Sequence, residues 1–370
     1  MRITFVLPLP TLAGGVRVVA EYARHLSDRG HEVLVVSTAA RPRETVGRRL
    51  RVKLSDLKRR LRGKPVPDRT FRLPPSHVDT LGGLSRRVPH GGPITDGEVP
   101  DADVVISTWW ETVPWVAAMS PAKGRKVHFL QHDERAMARS PEQAERIGET
   151  TWKTPGFARV AVANWIAGVG RDEYGVRDCV VVPNAVDATL FHAGPRGRGE
   201  PPTLGFMNSP AGFKASEIAQ AAYELAKREL PDLRLRTFGS ADDPNRPLPR
   251  EAMHEHAPPQ SRIPEIYRSC DVWLFSSRCE GFGLPILEAM ACGTPVVGTP
   301  TGAAPDLIDG SNGTLVPIDD PAAMARAAIE LLTRPEPAWR AASEAARATA
   351  ARHDYASATD RFEAFLRSVG

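Results

Sequence analysis

The chain has 370 residues, too many for one domain of typical size and enough for two that each bury a core. With 42% hydrophobic and 25% charged residues it has the composition of an ordinary globular protein, and its net charge of +4 does not by itself indicate nucleic-acid binding. The four cysteines show no Cys-x-x-Cys spacing, and we find neither a cleavable leader pattern nor an apolar run of membrane-spanning length, so we expect free thiols in a cytoplasmic protein.

The chain opens with a β-α-β pattern. Residues 3–7 and 32–37 are short apolar runs typical of buried strands, and residues 16–29 between them have helical periodicity. This order predicts a parallel, doubly wound sheet. The loop before the helix contains Gly14 and Gly15, which permit a tight turn.

Residues 41–72 are crowded with arginine and lysine. Leucines at positions 50, 54, 57 and 61 recur among them at helical spacing, which predicts a basic amphipathic helix. Through residues 48–62 such a helix would bind an anionic acceptor or the inner face of a membrane, unless its leucines pack on the N-terminal domain and leave the cations in solvent. The Pro- and Gly-rich residues 73–100 are expected to form a long irregular loop.

Two further apolar runs deliver polar and aromatic side chains to the carboxyl edge of the predicted sheet, where ligands bind in open α/β sheets. The side chains are Trp109, Trp110 and Glu111 after residues 104–107, and Gln131, His132 and Asp133 after residues 127–130. Aromatic faces beside a carboxylate suit a sugar-like or cyclic acceptor. Tryptophans that cover a domain core would give the same pattern.

A second β-α-β unit follows a linker rich in Pro, Gly and Arg at residues 193–202. Before the linker we expect a helix over residues 141–158 and a strand over 160–164. After the linker we expect two strands, over residues 203–207 and 233–238. The helices expected after the linker span residues 215–229, 264–269, 321–332, 338–351 and 355–369. The loop between the strand at 203–207 and its helix contains Ser209 and Lys214.

The most informative stretch is residues 271–299. An apolar run at 271–275 predicts a buried strand, which is followed by a glycine turn, a helix that begins near Pro285 and another strand at 295–298. The N-terminus of such a helix points its N–H groups at the crevice above the sheet, where an anion can sit. Glu280 and Glu288 flank the turn; since carboxylates repel phosphate, we expect them to accept hydrogen bonds from sugar or ribose hydroxyls.

From Glu280 to Glu288 the sequence is Glu-Gly-Phe-Gly-Leu-Pro-Ile-Leu-Glu, and it continues as Ala-Met-Ala-Cys-Gly-Thr-Pro-Val-Val. This pattern resembles the signature of the retaining GT-B glycosyltransferases of family four, and the resemblance extends at lower density over nearly the whole chain. It implies an α/β fold of two Rossmann-like domains that face each other across a cleft. Residues 1–190, with a C-terminal helix at 355–370 that crosses back to them, would bind the acceptor, and residues 191–354 the nucleotide sugar.

The resemblance implies transfer of a sugar from a nucleotide-diphosphate donor to a hydroxyl of a small-molecule, natural-product or cell-envelope glycan acceptor, with retention of configuration. It implies no cofactor, and we expect no metal because the sequence shows no cluster with ligand spacing. Two alternatives are a sugar-nucleotide epimerase of similar fold and a catalytically silent nucleotide-binding protein. The intact pair of Glu280 and Glu288 argues against both.

The resemblance also assigns residues to sites. The implied donor site consists of Gly14, Gly15, Ser209, Lys214, Ile263, Glu280, Gly281, Phe282, Gly283, Leu284 and Glu288. The expected acceptor site consists of Trp109, Trp110 and Glu111, from their place at the sheet edge, and of His132 and Asp133, where the resemblance implies a histidine that faces the reacting centre. Catalytic roles would belong to Glu280, Lys214 and His132, with Lys214 and the N–H groups at residues 283 and 284 stabilising the leaving diphosphate.

The chain departs from the family pattern at one diphosphate contact. Family members usually place an arginine as well as a lysine in the first loop of the second domain, whereas Asn208 or Ser209 occupies the arginine position here. The nucleotide base therefore stays open. It is also open whether Gln131 or His132 faces the reacting centre.

Overall fold

The structure, a computed structural model, describes residues 1–39, 55, 58, 59, 73–240 and 247–369. These residues form two parallel sheets covered by helices. The strands of the first sheet are β1 (Arg2–Leu7), β2 (Glu32–Thr38), β3 (Ser85–Val88), β4 (Val104–Ser107), β5 (Arg125–Leu130), β6 (Phe157–Ala161) and β7 (Val180–Val181). The helices between them are α1 (Gly14–Asp28), α2 (Thr112–Ala117), α3 (Pro141–Lys153) and α4 (Asn164–Tyr174).

The second sheet repeats this arrangement. Its strands are β8 (Thr203–Met207), β9 (Arg234–Gly239), β10 (Met253–His256), β11 (Val272–Phe275), β12 (Val296–Gly298) and β13 (Gly313–Leu315). Its helices are α5 (Ser216–Glu229), α6 (Ile263–Arg268), α7 (Leu284–Ala291), α8 (Ala304–Leu307), α9 (Pro321–Thr333), α10 (Glu336–Ala351) and α11 (Tyr355–Val369). Both sheets are therefore built by β-α-β crossovers.

The strand orders, β3-β2-β1-β4-β5-β6-β7 and β10-β9-β8-β11-β12-β13, each reverse direction at one point. The reversal lies between β1 and β4 in the first sheet and between β8 and β11 in the second, and both pairs are parallel. Loops that leave the carboxyl ends of such neighbouring strands diverge and leave a crevice, which is where open α/β sheets bind ligands. The predicted pair of doubly wound α/β domains is confirmed.

Each sheet is stabilised by apolar side chains that its helices bury. In the first, Val6, Val36, Val105 and Val113 belong to one core cluster. In the second, α5 and α9 cover β8 and β11, with Phe206, Tyr223, Val272 and Leu331 buried together. Strands β4 and β11 are buried along their whole length, as parallel strands covered on both faces are.

The chain divides into two compact units. The first comprises Met1–Phe129, Met137–Arg159 and Phe365–Gly370, and the second comprises Leu130–Ala136 and Val160–Ala364. The short segment that carries Gln131, His132 and Asp133 therefore belongs to the second unit. Helix α11 is divided between the two, with its end grouped with the first unit. The assignment of acceptor binding to residues 1–190 and donor binding to 191–354 stays a prediction.

The expectation of an irregular loop over residues 73–100 was wrong. This stretch contains β3 and two short 3-10 helices, His77–Leu84 and Asp96–Glu98, and it buries Val78 and Ile94. Strand β3 was missed because it lies at the sheet edge and its sequence, Ser-Arg-Arg-Val, buries only the valine. The predicted basic helix over residues 48–62 lies outside the described residues, apart from 55, 58 and 59.

Several predicted boundaries also shift. Helix α1 begins at Gly14, so Gly14 and Gly15 form its first turn instead of a preceding loop. Helix α3 ends at Lys153, where Thr154 precedes a proline, and the next strand ends at Ala161 instead of 164. Ile263, expected in a loop, is the first residue of α6. Over the described ranges, none of the helices combines the length and the apolar character needed to cross a membrane.

Candidate active site

The turn between β11 and α7 requires glycine at two positions. A Cβ on Gly281 would lie 1.9 Å from the carbonyl oxygen of Gln131, so a side chain cannot be accommodated without movement of the backbone. Gly283 has φ +96° and forms the N-cap of α7, a conformation that favours glycine. Pro285 then lies in the first turn, where its missing N–H costs no helical hydrogen bond.

An ion pair with a buried carboxylate and a partly buried ammonium lies at this turn. Lys214 Nζ is 2.5 Å from Glu280 Oε1, and the Ser277 hydroxyl donates to the same oxygen at 2.7 Å. Only 8% of Glu280 is exposed. The backbone carbonyl of Ser277 in turn accepts hydrogen bonds from Thr299 and Thr301. The predicted catalytic pair is therefore brought together, with its carboxylate oriented by hydrogen-bonded neighbours.

Lys214 is delivered by the loop between β8 and α5. Its last residues, Gly212–Lys214, form a 3-10 turn, and Ala215 follows with φ +47°, a conformation that is uncommon for a residue with a Cβ. The Ser276 hydroxyl lies 3.0 Å from the carbonyl oxygen of Lys214 and 2.9 Å from that of Ala215. Ser209 is bound at the start of the loop, where its N–H donates to the Ser216 hydroxyl at 2.9 Å.

Glu288 lies inside α7 and is 95% buried. It accepts a hydrogen bond from the Tyr267 hydroxyl at 3.0 Å. Tyr267 belongs to α6, the helix that Ile263 begins, so the structure connects two predicted donor residues through a tyrosine that sequence reasoning missed. Its position in a short apolar segment gave no functional signal.

His132 lies beside the residue that precedes Glu280. Its Nε2 is 3.7 Å from Cys279 Sγ, and its Nδ1 is 2.8 Å from the carbonyl oxygen of Asp133. The ring packs edge-on against Trp165, whose indole N–H donates to the carbonyl of Gly281 at 2.8 Å. His132 therefore approaches the turn through its side chain, whereas Gln131 does so through its backbone. Trp165 was not predicted as a site residue.

Asp133 and Cys279 have surroundings that bear on their chemistry. Asp133 binds the Arg135 guanidinium at 2.7 Å, and Arg135 also pairs with Glu173. These two carboxylates raise the pKa of Arg135. Burial raises the pKa of the Cys279 thiol, and the nearby charge of Glu280 adds to the effect, so the thiol stays protonated at neutral pH.

The predicted residues of the first unit lie at the carboxyl ends of the neighbouring strands β1 and β4. Gly14 and Gly15 begin the helix after β1, and Trp109, Trp110 and Glu111 follow β4. Both tryptophans are half-buried, and the Arg146 guanidinium lies 5.6 Å from the centre of the Trp110 ring. Burial raises the pKa of Glu111. Their role in acceptor binding stays a prediction.

Across the part of the chain that the structure describes, no group of three or more His, Cys, Asp or Glu side chains is arranged to hold a metal ion. The polar groups that the second unit gathers at the carboxyl edge of its sheet are instead one ammonium, two buried carboxylates and a set of hydroxyls. Such groups suit an anionic ligand that also carries hydroxyls.

Comparison with known proteins agrees with this chemistry. The family model of Glycosyltransferase Family 4 matches residues 12–190, and that of Glycosyl transferases group 1 matches residues 202–334. A D-inositol 3-phosphate glycosyltransferase of Nocardiopsis dassonvillei is 30% identical over 275 residues, which is 65% of this chain and 61% of that protein. The enzyme of the same name from Mycobacterium avium is 41% identical over 113 residues, 30% of this chain and 27% of its own. The chain thus spans less than two thirds of the length of these curated relatives.

The crystal structure of HepE from Anabaena in complex with UDP and glucose superposes with a TM-score of 0.74 at 16% identity, and the match covers 100% of both chains. This similarity shows the fold. Together the two family models cover both predicted domains, including the loop with Lys214 and the turn with Glu280. The chain belongs to family four of the GT-B glycosyltransferases, the group 1 glycosyl transferases.

Proposed function

We propose that the protein transfers a sugar from a nucleotide-diphosphate donor to an acceptor hydroxyl, with retention of anomeric configuration and without a metal ion. The observation that carries the proposal is the contact of Lys214 with Glu280. Lys214 follows β8 and Glu280 follows β11, the two strands between which the order of the second sheet reverses. A cation and a carboxylate are thus held together where this type of sheet binds its ligand.

The two groups suit the two charges that develop when a glycosidic bond to a diphosphate breaks. The leaving diphosphate gains negative charge, which Lys214 stabilises together with the N–H groups at the start of α7, Gly283 and Leu284. The transferred sugar gains positive character, which a carboxylate that binds its hydroxyls stabilises. Interactions that strengthen toward the transition state in this way accelerate the reaction.

The hydrogen bonds of Glu280 support different assignments for its two oxygens. Among the described residues, the donors Lys214 and Ser277 both reach Oε1. We therefore assign Oε2 to a hydroxyl of the transferred sugar. Glu288 lies inside α7 and accepts a hydrogen bond from Tyr267. We assign it to the ribose hydroxyls, which change little during the reaction.

The acceptor is assigned to the aromatic residues after β4 and to His132. The half-buried faces of Trp109 and Trp110 suit the apolar face of a sugar or another cyclic acceptor. The names of the relatives, D-inositol 3-phosphate glycosyltransferases, support an acceptor that is a ring with hydroxyls. The complex of HepE with UDP and glucose supports a nucleotide-sugar donor.

A nucleotide panel followed by a transfer assay tests the proposal. Thermal unfolding is measured with UDP, GDP, ADP and dTDP, because a ligand at 100 times its dissociation constant adds about 2.7 kcal/mol of stability. The nucleotide sugars of the base that stabilises are then incubated with polyol and glycoside acceptors, with and without EDTA. We expect acceptor-dependent release of the nucleotide, a product of retained configuration by NMR, and no effect of EDTA.

Two results would favour the alternatives. Conversion of the donor to an epimer in the absence of any acceptor would indicate an epimerase. Nucleotide binding without turnover of any donor would indicate a silent binding protein.

A further inference from the structure

Arg278 donates hydrogen bonds to the backbone of the loop that carries Lys214. The residue lies in the turn after β11, two positions before Glu280. Its backbone N–H donates to the carbonyl of Phe213 at 2.7 Å, and its Nη1 donates to the carbonyl of Gly212 at 2.8 Å. Gly212 and Phe213 are the two residues directly before Lys214, so Arg278 fixes the chain from which the lysine extends.

The orientation of the guanidinium is itself fixed by two carboxylates. Its Nε lies 2.7 Å from an oxygen of Asp319, and its Nη2 lies 2.7 Å from an oxygen of Glu217. Glu217 belongs to the first turn of α5, the helix that follows Lys214, and Asp319 lies just before α9. Asp319 adopts φ +61°, an uncommon conformation outside glycine, and places its carboxylate at Nε. Three elements of the second unit therefore meet at one side chain.

These ion pairs contribute little to stability, because Arg278 and both carboxylates are at least one third exposed. What they do contribute is orientation. Three guanidinium nitrogens of Arg278 each reach a different segment, which a planar group with five donors can do and a single ammonium cannot.

We propose that Arg278 is a positioning residue for Lys214. Through the carbonyls of Gly212 and Phe213 it keeps the ammonium at Glu280, in place to meet the diphosphate of the donor. The consequence for catalysis rests on the proposed function; the effect on the contact between Lys214 and Glu280 does not. Because Gly212, Glu217 and Asp319 each engage one of its three guanidinium nitrogens, the proposal assigns Arg278 an action through the lysine and no phosphate contact of its own.

Four proteins test whether Arg278 acts through Lys214: the wild type, Arg278→Ala, Lys214→Met and the double variant. Each is titrated calorimetrically with whichever of UDP, GDP, ADP and dTDP the wild type binds most tightly. We expect each single variant to weaken binding by about tenfold, which corresponds to the loss of roughly one charge-assisted hydrogen bond. The double variant should bind no more weakly than Lys214→Met. Losses that multiply in the double variant would show an independent phosphate contact of Arg278 and overturn the inference.

Matched variants separate positioning from general destabilisation. Arg278→Lys, which keeps the charge but not the planar fork, should lose most of the affinity that Arg278→Ala loses. Arg340→Ala removes an arginine that pairs with Glu336 on the exposed face of α10 and should leave affinity unchanged. If Arg278→Lys binds the nucleotide like the wild type, charge alone is sufficient and the positioning role is refuted.

A second measurement does not depend on any activity. The coupling between Lys214 and Glu280 is obtained from urea unfolding of Lys214→Met, Glu280→Gln and their combination, once with Arg278 and once with alanine at that position. We expect a coupling energy between Lys214 and Glu280 when Arg278 is present, and we expect this coupling to be lost when alanine replaces it. Unchanged coupling would overturn the inference. Lost coupling in a protein that binds no nucleotide would support the inference and contradict the proposed function instead.

Discussion

The ammonium of Lys214 lies 2.5 Å from a carboxylate oxygen of Glu280, and the two side chains are only 18% and 9% exposed. Removing the ammonium should destabilise the fold, because a buried carboxylate that loses a donor retains the cost of desolvation. We therefore expect this one contact to matter both for the stability of the protein and for the proposed reaction. Its removal should be visible in both.

Lys214→Met should lower the free energy of unfolding by about 1.5–3 kcal/mol, because the buried Glu280 carboxylate loses the cation that pairs with it. Adding Glu280→Gln should restore part of the loss, since a neutral amide has no charge to desolvate. Urea unfolding at neutral pH measures both. Lys153→Met is the control, because Lys153 forms an exposed pair with Glu149 and such pairs contribute less than about 1 kcal/mol. Equal effects at positions 214 and 153 would contradict the importance of burial.

Gly281→Ala should disrupt the turn, because the new Cβ would lie 1.9 Å from the carbonyl oxygen of Gln131. We expect a loss of about 1–3 kcal/mol in stability, as for other overpacked sites, and a larger loss in turnover because Glu280 is the preceding residue. Gly194→Ala is the control, because no atom lies within 4 Å of its added Cβ. A Gly281→Ala protein with wild-type melting temperature and activity would show that the segment of Gln131 moves away freely.

The pH dependence of stability should depend on His128 in the first unit. Complete burial lowers the pKa of His128 to about 3, and the charge of Arg159 acts in the same direction. The unfolded chain then binds a proton below about pH 6.5 that the folded chain does not, so stability is present above that pH and is lost as the pH falls toward 3. The slope from this group approaches about 1.4 kcal/mol per pH unit.

Unfolding of the wild type and of His128→Leu between pH 7.5 and 5 measures this contribution. The variant should show the smaller decline with falling pH. Equal slopes would mean that His128 accepts a proton in the folded state.

Sequence alone predicted the strands that are buried on both faces and the glycine turn between them, because apolar runs and glycines are local signals. It missed β3, β10 and β13, three strands at sheet edges whose residues are partly polar. An edge strand buries little, so its composition resembles that of a loop. The same limit explains why the sequence of residues 73–100 predicts an irregular loop.

The sequence named residues of the candidate site that bear a charge, and it missed neighbouring residues that orient them. Lys214, Glu280 and Glu288 followed from the motif and the resemblance. Tyr267 and Trp165 did not. The Tyr267 hydroxyl donates a hydrogen bond to Glu288, more than 20 positions away, and the Trp165 indole N–H donates one to the carbonyl of Gly281, more than 115 positions away. Contacts of that kind depend on tertiary structure and leave no local pattern.

Replacement of Trp109 or Trp110 by alanine should raise the acceptor KM and leave nucleotide affinity nearly unchanged, because both follow β4 in the first unit and are half-buried. Arg146→Met tests the same surface more gently, since it removes only the cation near the Trp110 ring. Steady-state kinetics with varied acceptor, together with nucleotide titration, separate the two effects. An equal loss of nucleotide binding, or unfolding, would favour a purely structural role for the tryptophans.

Glu288→Gln should weaken donor binding with little change in kcat, because the ribose hydroxyls it is assigned to change little between ground and transition state. Its contact with Tyr267 supplies the control. Tyr267→Phe removes the hydroxyl that donates to Glu288. It should also weaken nucleotide affinity, but by less than Glu288→Gln does. A large fall in kcat for Glu288→Gln with unchanged donor KM would exchange the roles of the two glutamates.

The most direct test of the proposed reaction is the kcat of Glu280→Gln, measured beside the dissociation constant of the nucleotide diphosphate, which lacks the sugar. Loss of a charge-assisted hydrogen bond of about 1.5–3 kcal/mol in the transition state predicts a fall in kcat of roughly ten- to hundredfold with a smaller change in nucleotide affinity. Wild-type kcat combined with lost nucleotide affinity would contradict the assignment of Glu280 to the transferred sugar.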